Sequence, residues 1–498
     1  MNKNYERLQE YIEKSIAISA ALAVFEWDNE TLAPESAIEN TSRIMGILAK
    51  ENHKALINDE VKELLSVLEK EDGLTFTEKK TVCKLKKEYE KLDVVTAEEY
   101  QEYNELTAKS ANAWAKAKEQ NDFSIFAPFL EKIIAFNKKM AAGRSKDGVR
   151  IYDVLLDDYE EGFTTDVLDK FFEELKNGIL PLANKIKEKE DSIDFKFLRK
   201  DYDIQKQKEF NRFLAEYVGF DFSKGVIAES EHPFTTNWHN HDVRITTHYY
   251  KNMPESAIFS TIHEAGHALY EMNIADRYTM TMLAGGTSMG VHESQSRFME
   301  NFIGRSEAFW KPIYSKLQET FKENLGDVEL EDFMRAVNRV EHGFIRTEAD
   351  ELTYCINIII RYEIEKLFME GNINIDELPQ IWNDKYEEYL GIKPENVSEG
   401  ILQDIHWSQG SIGYFPSYAL GSAFAAQFFH KMKEEIDVEG ALFEGNVAKI
   451  TTWLKENIHQ YGSAKNAREL LKDVTGEELN TKYYIDYLTK KYSRLYKI

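Results

Sequence analysis

Thr261-Ile262-His263-Glu264-Ala265-Gly266-His267-Ala268-Leu269 sets two histidines four residues apart, with a glutamate directly after the first. On a helix of about 3.6 residues per turn, positions i and i+4 differ by about 40° of rotation, so His263 and His267 project from one face. Two imidazoles placed in this way can share one Zn²⁺. Glu264 is turned by about 100° from His263, which puts its carboxylate beside such a metal, where a general base for the attacking water is needed. The plainer reading is a coincidence of common helix residues on a solvated face. Pro254, at the first helical position, and Glu255 open this helix, and Ile258, Ile262 and Leu269 give it an apolar side.

The rest of the composition suits a helical protein. At 498 residues the chain can bury a large core, and length alone suggests about three domains. No Gly/Ser- or Pro-rich linker marks a boundary, however, and no proline falls between Pro34 and Pro128 or between Pro128 and Pro181. Proline costs about 3 kcal/mol inside a helix, so long proline-free stretches rich in Glu, Lys and Leu favour long helices. One large, mainly α unit is therefore expected, with an N-terminal helical layer over 1–220 and a catalytic portion over 221–498. Against 62 basic residues stand 87 acidic ones, a formal charge of −25. That disfavours nucleic acid as a partner, since neutralising phosphates needs positive charge. Cys83 and Cys355 are too few to staple such a chain, and residues 1–7 lead into a charged amphipathic helix with no apolar signal core. No apolar run reaches the length of a membrane span. A cytoplasmic protein with no membrane association is expected.

Amphipathic helices are predicted over 5–33, 40–71, 77–93, 96–119, 129–142 and 165–190, with turns at Glu71-Asp72-Gly73 and Ser145-Lys146-Asp147-Gly148. The texture changes after Phe220. Residues 231–250 are rich in β-branched, aromatic and histidine side chains. Alternation over 243–249 predicts a strand, with a turn before it at His232-Pro233. These histidines invite a metal reading, but polar groups lining a cleft explain them as well. Glycines Gly285, Gly286 and Gly290 make a flexible turn, and a second helix is predicted through 291–302. A long helix over 331–371 is predicted to carry Arg346.

Two histidines need a third protein ligand to make a catalytic centre with one open position. Glu293, thirty residues after His263, is the first candidate, followed by Glu300 and Glu271, and spacing favours this order without forcing it.

Several separate motifs together resemble the M32 family of metallocarboxypeptidases, the Taq-type carboxypeptidases. They are Phe25-Glu26-Trp27-Asp28, His232-Pro233-Phe234, Asp242-x-Arg244-x-Thr246, the His263–His267 set, His292-Glu293-Ser294-Gln295, Ile345-Arg346-x-x-Ala349-Asp350 and Gly400-x-x-Gln403-Asp404-x-His406-Trp407. The resemblance implies a large helical gluzincin fold with a deep groove and a small β element, similar to neurolysin and angiotensin-converting enzyme. It also implies one divalent metal, Zn²⁺ or alternatively Co²⁺, held by His263, His267 and Glu293, and a homodimer. Peptides with a free C-terminus are the expected substrates.

On this reading Glu264 takes a proton from the attacking water and hands it to the leaving amine. The resemblance points to Arg346 for the substrate carboxylate, whose bidentate geometry suits a guanidinium. Pairing of Arg346 with Glu348 or Asp350 is the structural alternative. His406 and a tyrosine from the Gly413–Tyr418 loop, Tyr414 ahead of Tyr418, are expected to stabilise the oxyanion, although loop packing explains either tyrosine equally well. Asp242, Arg244, His232 and Gln403 are expected to shape the groove, and Arg244 competes with Arg346 for the carboxylate. Two rival functions remain: an endo- or dipeptidyl-type metallo-oligopeptidase, and a non-catalytic helical peptide-binding protein.

Overall fold

The computed structural model describes residues 2–371 and 373–498. The chain forms two compact units, Met1–Leu92 with Asp194–Val337 and Phe428–Glu477, and Asp93–Ile193 with Asn338–Gln427 and Glu478–Ile498. None of the crossings between them falls at residue 220. Among the described residues no helix is long and apolar enough to cross a membrane.

The first unit opens with the helix Lys3–Thr31, whose Leu8 and Ile12 are fully buried against Val61, Leu65, Leu68 and Leu85. The single helix predicted over 40–71 is two, Ile38–Leu56 and Asp59–Leu68. Asn58 divides them, because its side chain accepts the Val61 N–H at 3.0 Å and so caps the second helix.

Downstream lies a three-stranded sheet in the order β1-β3-β2, with β1 Gly225–Glu229, β2 Thr235–His239 and β3 Asp242–Thr247. β1 runs parallel and β2 antiparallel to β3. The predicted strand over 243–249 is β3, and its alternation has the expected cause. Val243 and Ile245 bury against Phe220, Ala268 and Met272, so one face of the sheet packs on the helix Pro254–Met272 that carries the two histidines. β1 and β2 escaped the sequence reading because their side chains are mostly half-buried and lack a period-two contrast.

The second unit is helical. Ala97–Gln120 begins with a capping box between Thr96 and Glu99, as its S/T-x-x-E pattern allows. The long helix predicted over 331–371 is not continuous. Leu330–Val337, in the first unit, ends early, and α-helix resumes only at Glu351–Glu370. Asp350 starts this second piece by accepting the N–H groups of Leu352 and Thr353 at 2.9 and 3.1 Å. Between the two pieces Arg346 sits in a single 3₁₀ turn, and its N–H goes to Gln403 Oε1 at 2.8 Å instead of to a helical carbonyl.

Candidate active site

The motif helix Pro254–Met272 lies against the helix Met289–Arg297 at very short range. Gly266 makes this possible. A Cβ at that position would stand 2.5 Å from the Gln295 carbonyl oxygen and 2.7 Å from the Ser296 Cα. With the two backbones this close, Glu293 reaches His263, about one turn before Gly266, and His267, directly after it. Its Oε2 lies 3.7 Å from His263 Nε2 and 3.5 Å from His267 Nε2. One ligand atom from each of the three residues lies within 4.8 Å of the others. Tetrahedral ligands at about 2.1 Å from a zinc ion stand about 3.4 Å apart, so these separations fit one small divalent cation.

The outward ring nitrogens support the same fit. His263 Nδ1 is 2.9 Å from Glu300 Oε2, and since a carboxylate can only accept, Nδ1 carries a proton and Nε2 is the ring nitrogen turned to Glu293. His267 Nδ1 meets His292 Nδ1 at 2.6 Å, and His292 Nε2 lies 2.8 Å from Glu271 Oε1. The three candidate acids, whose order spacing did not force, thus occupy different places. Glu293 faces both Nε2 atoms, Glu300 stands behind His263, and Glu271 stands behind His292.

Glu300 arrives in position through a π-helical segment, Phe298–Gly304, that continues the second helix. Arg297 ties the acids together, donating to Glu293 Oε1 at 2.7 Å and lying 3.4 Å from Glu300 Oε2. Sequence reasoning passed over Arg297, although its i+4 spacing from Glu293 is the signal of such a pair. Burial opposes the charge on Glu293, but Arg297, His263 and His267 outweigh it and hold the carboxyl well below its usual range. Burial likewise opposes charge on Glu300, where Arg305 and His263 prevail and lower its pKa. His267 is pushed down to about 3 by burial, with His292 and His263 adding to the effect, so its ring is neutral as a ligand must be. At His263 burial is outweighed by Glu293 and Glu300, and the pKa is raised.

Glu264 is buried on the sheet side of its helix. Its Oε2 accepts the Thr235 hydroxyl at 2.5 Å, and burial raises its pKa above the ordinary value. Strand β2 therefore positions this carboxylate, a contact that spacing alone did not suggest.

The sheet gathers three of the early motifs. Arg244 donates to both oxygens of Asp242 at 2.9 and 3.1 Å, and its guanidinium stacks 3.8 Å from the Trp238 ring, with Trp27 at 5.6 Å. Trp27 meets Phe234 edge-on at 5.7 Å. Thr246 Oγ1 accepts the Phe234 N–H at 2.9 Å, locking the start of β2 to β3. Arg244 is thus committed to Asp242 and two indoles, and His232 is exposed.

In the second unit Arg346 is buried, and its Nε donates to Asp404 Oδ1 at 2.9 Å. The expected alternative partners are otherwise arranged, since Asp350 caps a helix. Asp404 also accepts from Arg361 Nε at 2.7 Å, and the two arginines overcome burial to lower its pKa. Burial opposes the charge on Arg346, but Asp404 keeps its pKa above the ordinary value. Gln403 is used up on backbone, accepting from Arg346 N and donating to the Phe344 carbonyl at 2.9 Å.

His406 Nε2 lies 3.1 Å from the Tyr418 hydroxyl, and burial pushes its pKa down to about 4. Tyr418 is not in the loop but in the first turn of the helix Pro416–Glu435. Tyr414 stacks on His406 at 5.4 Å and meets Tyr159 edge-on at 5.2 Å. Beneath them the buried Glu365 accepts from Trp407 Nε1 and Tyr152 OH at 2.7 Å and from Gly413 N at 2.9 Å. This one carboxylate pins both sides of the segment that carries His406 and Tyr414.

Known proteins match this arrangement over nearly its whole length. The family model for carboxypeptidase Taq (M32) metallopeptidases matches residues 7–492. Carboxypeptidase 1 of Bacillus subtilis (strain 168) is 45% identical over 482 residues, covering 96% of each chain. The structure of the Pyrococcus furiosus carboxypeptidase superposes with a TM-score of 0.94 at 37% identity, covering 99% of each chain. The M32 carboxypeptidase from Deinococcus radiodurans R1 does so with a TM-score of 0.96 at 32% identity, covering all of both chains. With these relatives the oligopeptidase and non-catalytic readings lose their ground, and the chain belongs to the M32 family of metallocarboxypeptidases.

Proposed function

We propose that this metallocarboxypeptidase releases single residues from the C-termini of peptides with broad specificity, using His263, His267 and Glu293 as ligands of one divalent cation and Glu264 as general base. The observation that carries the reading is the convergence of the two Nε2 atoms and the Glu293 carboxylate at separations suited to one ion. Two imidazoles and one carboxylate are the ligand set of many catalytic zinc centres, so Zn²⁺ is the first choice and Co²⁺ the second. The cation supplies Lewis acidity that polarises the scissile carbonyl and acidifies the attacking water.

The chain's own residues do the rest. Glu264 Oε2 is engaged by Thr235, which leaves Oε1 to receive the proton of the attacking water. Its raised pKa makes it a better acceptor near neutrality and a competent donor to the leaving amine afterwards. Arg346 takes the terminal carboxylate of the substrate. Its Nε is held by Asp404 and its Nη1 donates to the Tyr354 hydroxyl at 3.4 Å, so Nη2 is the nitrogen assigned to the ligand. His406, neutral at physiological pH, and Tyr418 form one hydrogen-bonded donor pair for the oxyanion, with Tyr414 packed beside it. The same reading makes the enzyme a cytoplasmic homodimer. A cysteine content too low to staple a chain of this length supports a reducing compartment, and the dimer rests on the family resemblance.

Mass spectrometry of a short peptide mixture incubated with the Zn²⁺-loaded protein tests the activity. The expected product pattern is a ladder of single-residue losses from the C-terminus, abolished by chelation and restored by metal. Internal cuts or dipeptide steps would overturn the proposal.

A further inference from the structure

We propose that His292 and Glu271 form a positioning relay that fixes the His267 ring with Nε2 turned toward the metal. This rests on the reading of His267 as a ligand and goes beyond it, since His292 and Glu271 are not among the three ligand residues.

Glu271 is buried, and its carboxylate can only accept. It takes Gly286 N and His292 Nε2 on Oε1 at 2.9 and 2.8 Å, and Asn237 Nδ2 on Oε2 at 3.0 Å. In its neutral form His292 therefore carries its proton on Nε2, and its Nδ1 is an acceptor. The 2.6 Å contact between His292 Nδ1 and His267 Nδ1 must then be donated by His267. That assigns the His267 tautomer, with the proton on Nδ1 and the lone pair on Nε2, the atom facing Glu293 at 3.5 Å.

The surroundings are built to hold this geometry. A Cβ on Gly286 would meet the His292 ring at 2.7 Å and the Tyr270 ring at 2.9 Å, so the backbone itself closes over the relay. The two ligands are thus served differently. The outward nitrogen of His263 leans directly on the Glu300 carboxylate, whereas that of His267 reaches the Glu271 carboxylate through a second imidazole.

Outer partners of this kind raise metal affinity by about ten- to a hundredfold. Zn²⁺ affinity of the full-length chain, measured by competition with a chromophoric chelator, is the test. His292→Phe, which keeps the ring volume but has no acceptor, should weaken Zn²⁺ by about ten- to a hundredfold. His292→Asn, which offers an oxygen near the place of Nδ1, should recover most of the loss. A His292→Phe affinity within about twofold of the unmodified chain would overturn the relay, taking about tenfold as the smallest effect expected. His267→Ala separates the two readings. If it leaves the affinity intact, the ligand assignment itself falls. If it abolishes binding while His292→Phe binds normally, only the relay falls. Should His292→Phe fail to fold, ¹⁵N-histidine spectra of the unmodified metal-free protein decide the matter. Protons on His267 Nδ1 and His292 Nε2 support the relay, and a proton on His292 Nδ1 overturns it.

Discussion

Replacing Glu264 by Gln keeps the size of the side chain and its contact with Thr235, and removes only the proton acceptor. Metal content measured by plasma mass spectrometry should stay at one per chain while kcat falls by about 10²- to 10⁴-fold, the usual range for loss of a general base. Near-normal turnover would end the assignment. Arg346→Ala removes a charge-assisted contact of about 1.5–3 kcal/mol, so kcat/KM on free-ended peptides should drop by about ten- to a hundredfold. Amidated peptides, which lack the carboxylate, should be affected far less. An unchanged ratio between the two substrate types would remove Arg346 from substrate recognition. At this scale the sequence was most informative where one helix fixes the geometry. The i, i+4 spacing of His263 and His267 and the adjacent Glu264 follow from helical rotation alone. Placing Glu293, Glu300 and Glu271 was beyond it, because which acid meets which ring nitrogen depends on how two helices pack.

The crossing of the motif helix and the helix Met289–Arg297 turns on the absence of one side chain. Gly266→Ala forces a methyl group onto the Gln295 carbonyl and the Ser296 Cα. Both are backbone, with no rotamer to yield, so the helices must separate. Overpacking of this kind costs about 1–3 kcal/mol, and a thermal melt of the metal-free chain should register it together with weakened Zn²⁺ binding. A melt and a metal affinity unchanged from the parent would show that the helices have room to spare. Elements were legible where a local signal marked them, as with Thr96 and Glu99 at a helix start or the alternation of β3. The stretch 331–371 misled for a physical reason. Its apolar period runs through 338–350, and what prevents a continuous helix there is the Asp350 cap and the capture of Arg346 N by Gln403, fifty-seven residues away. No local pattern reports a partner that distant.

For the molecule as a whole, one buried acid gives stability a pH dependence of definite sign. Burial raises the Glu365 carboxyl from 4.5 to about 7, against the pull of its three hydrogen-bond donors. Between those values the native state holds a proton that the unfolded chain has released. The stabilising contribution is therefore fully present below about 4.5 and is lost as pH rises through about 7. The whole span is worth on the order of 3 kcal/mol. Denaturant unfolding at pH 5 and pH 8 should show the decline, and Glu365→Gln, which cannot ionise, should flatten it. A variant with the parental slope would assign the pH dependence to other groups.

The interleaving of the two units also bears on how the protein is made. A chain leaving the ribosome N-terminus first has delivered every segment of the first unit, including His263, His267 and Glu293, once Glu477 has emerged. The second unit is then still unfinished. The Val340 N–H waits for the Tyr496 hydroxyl, which it meets at 2.8 Å, and the Glu351 carboxylate waits for Lys491 at 2.5 Å. Synthesis thus completes the ligand set before the unit that holds Arg346, and a message cut short near its 3′ end yields a chain with its metal ligands in hand and its second unit lacking the partners of Val340 and Glu351.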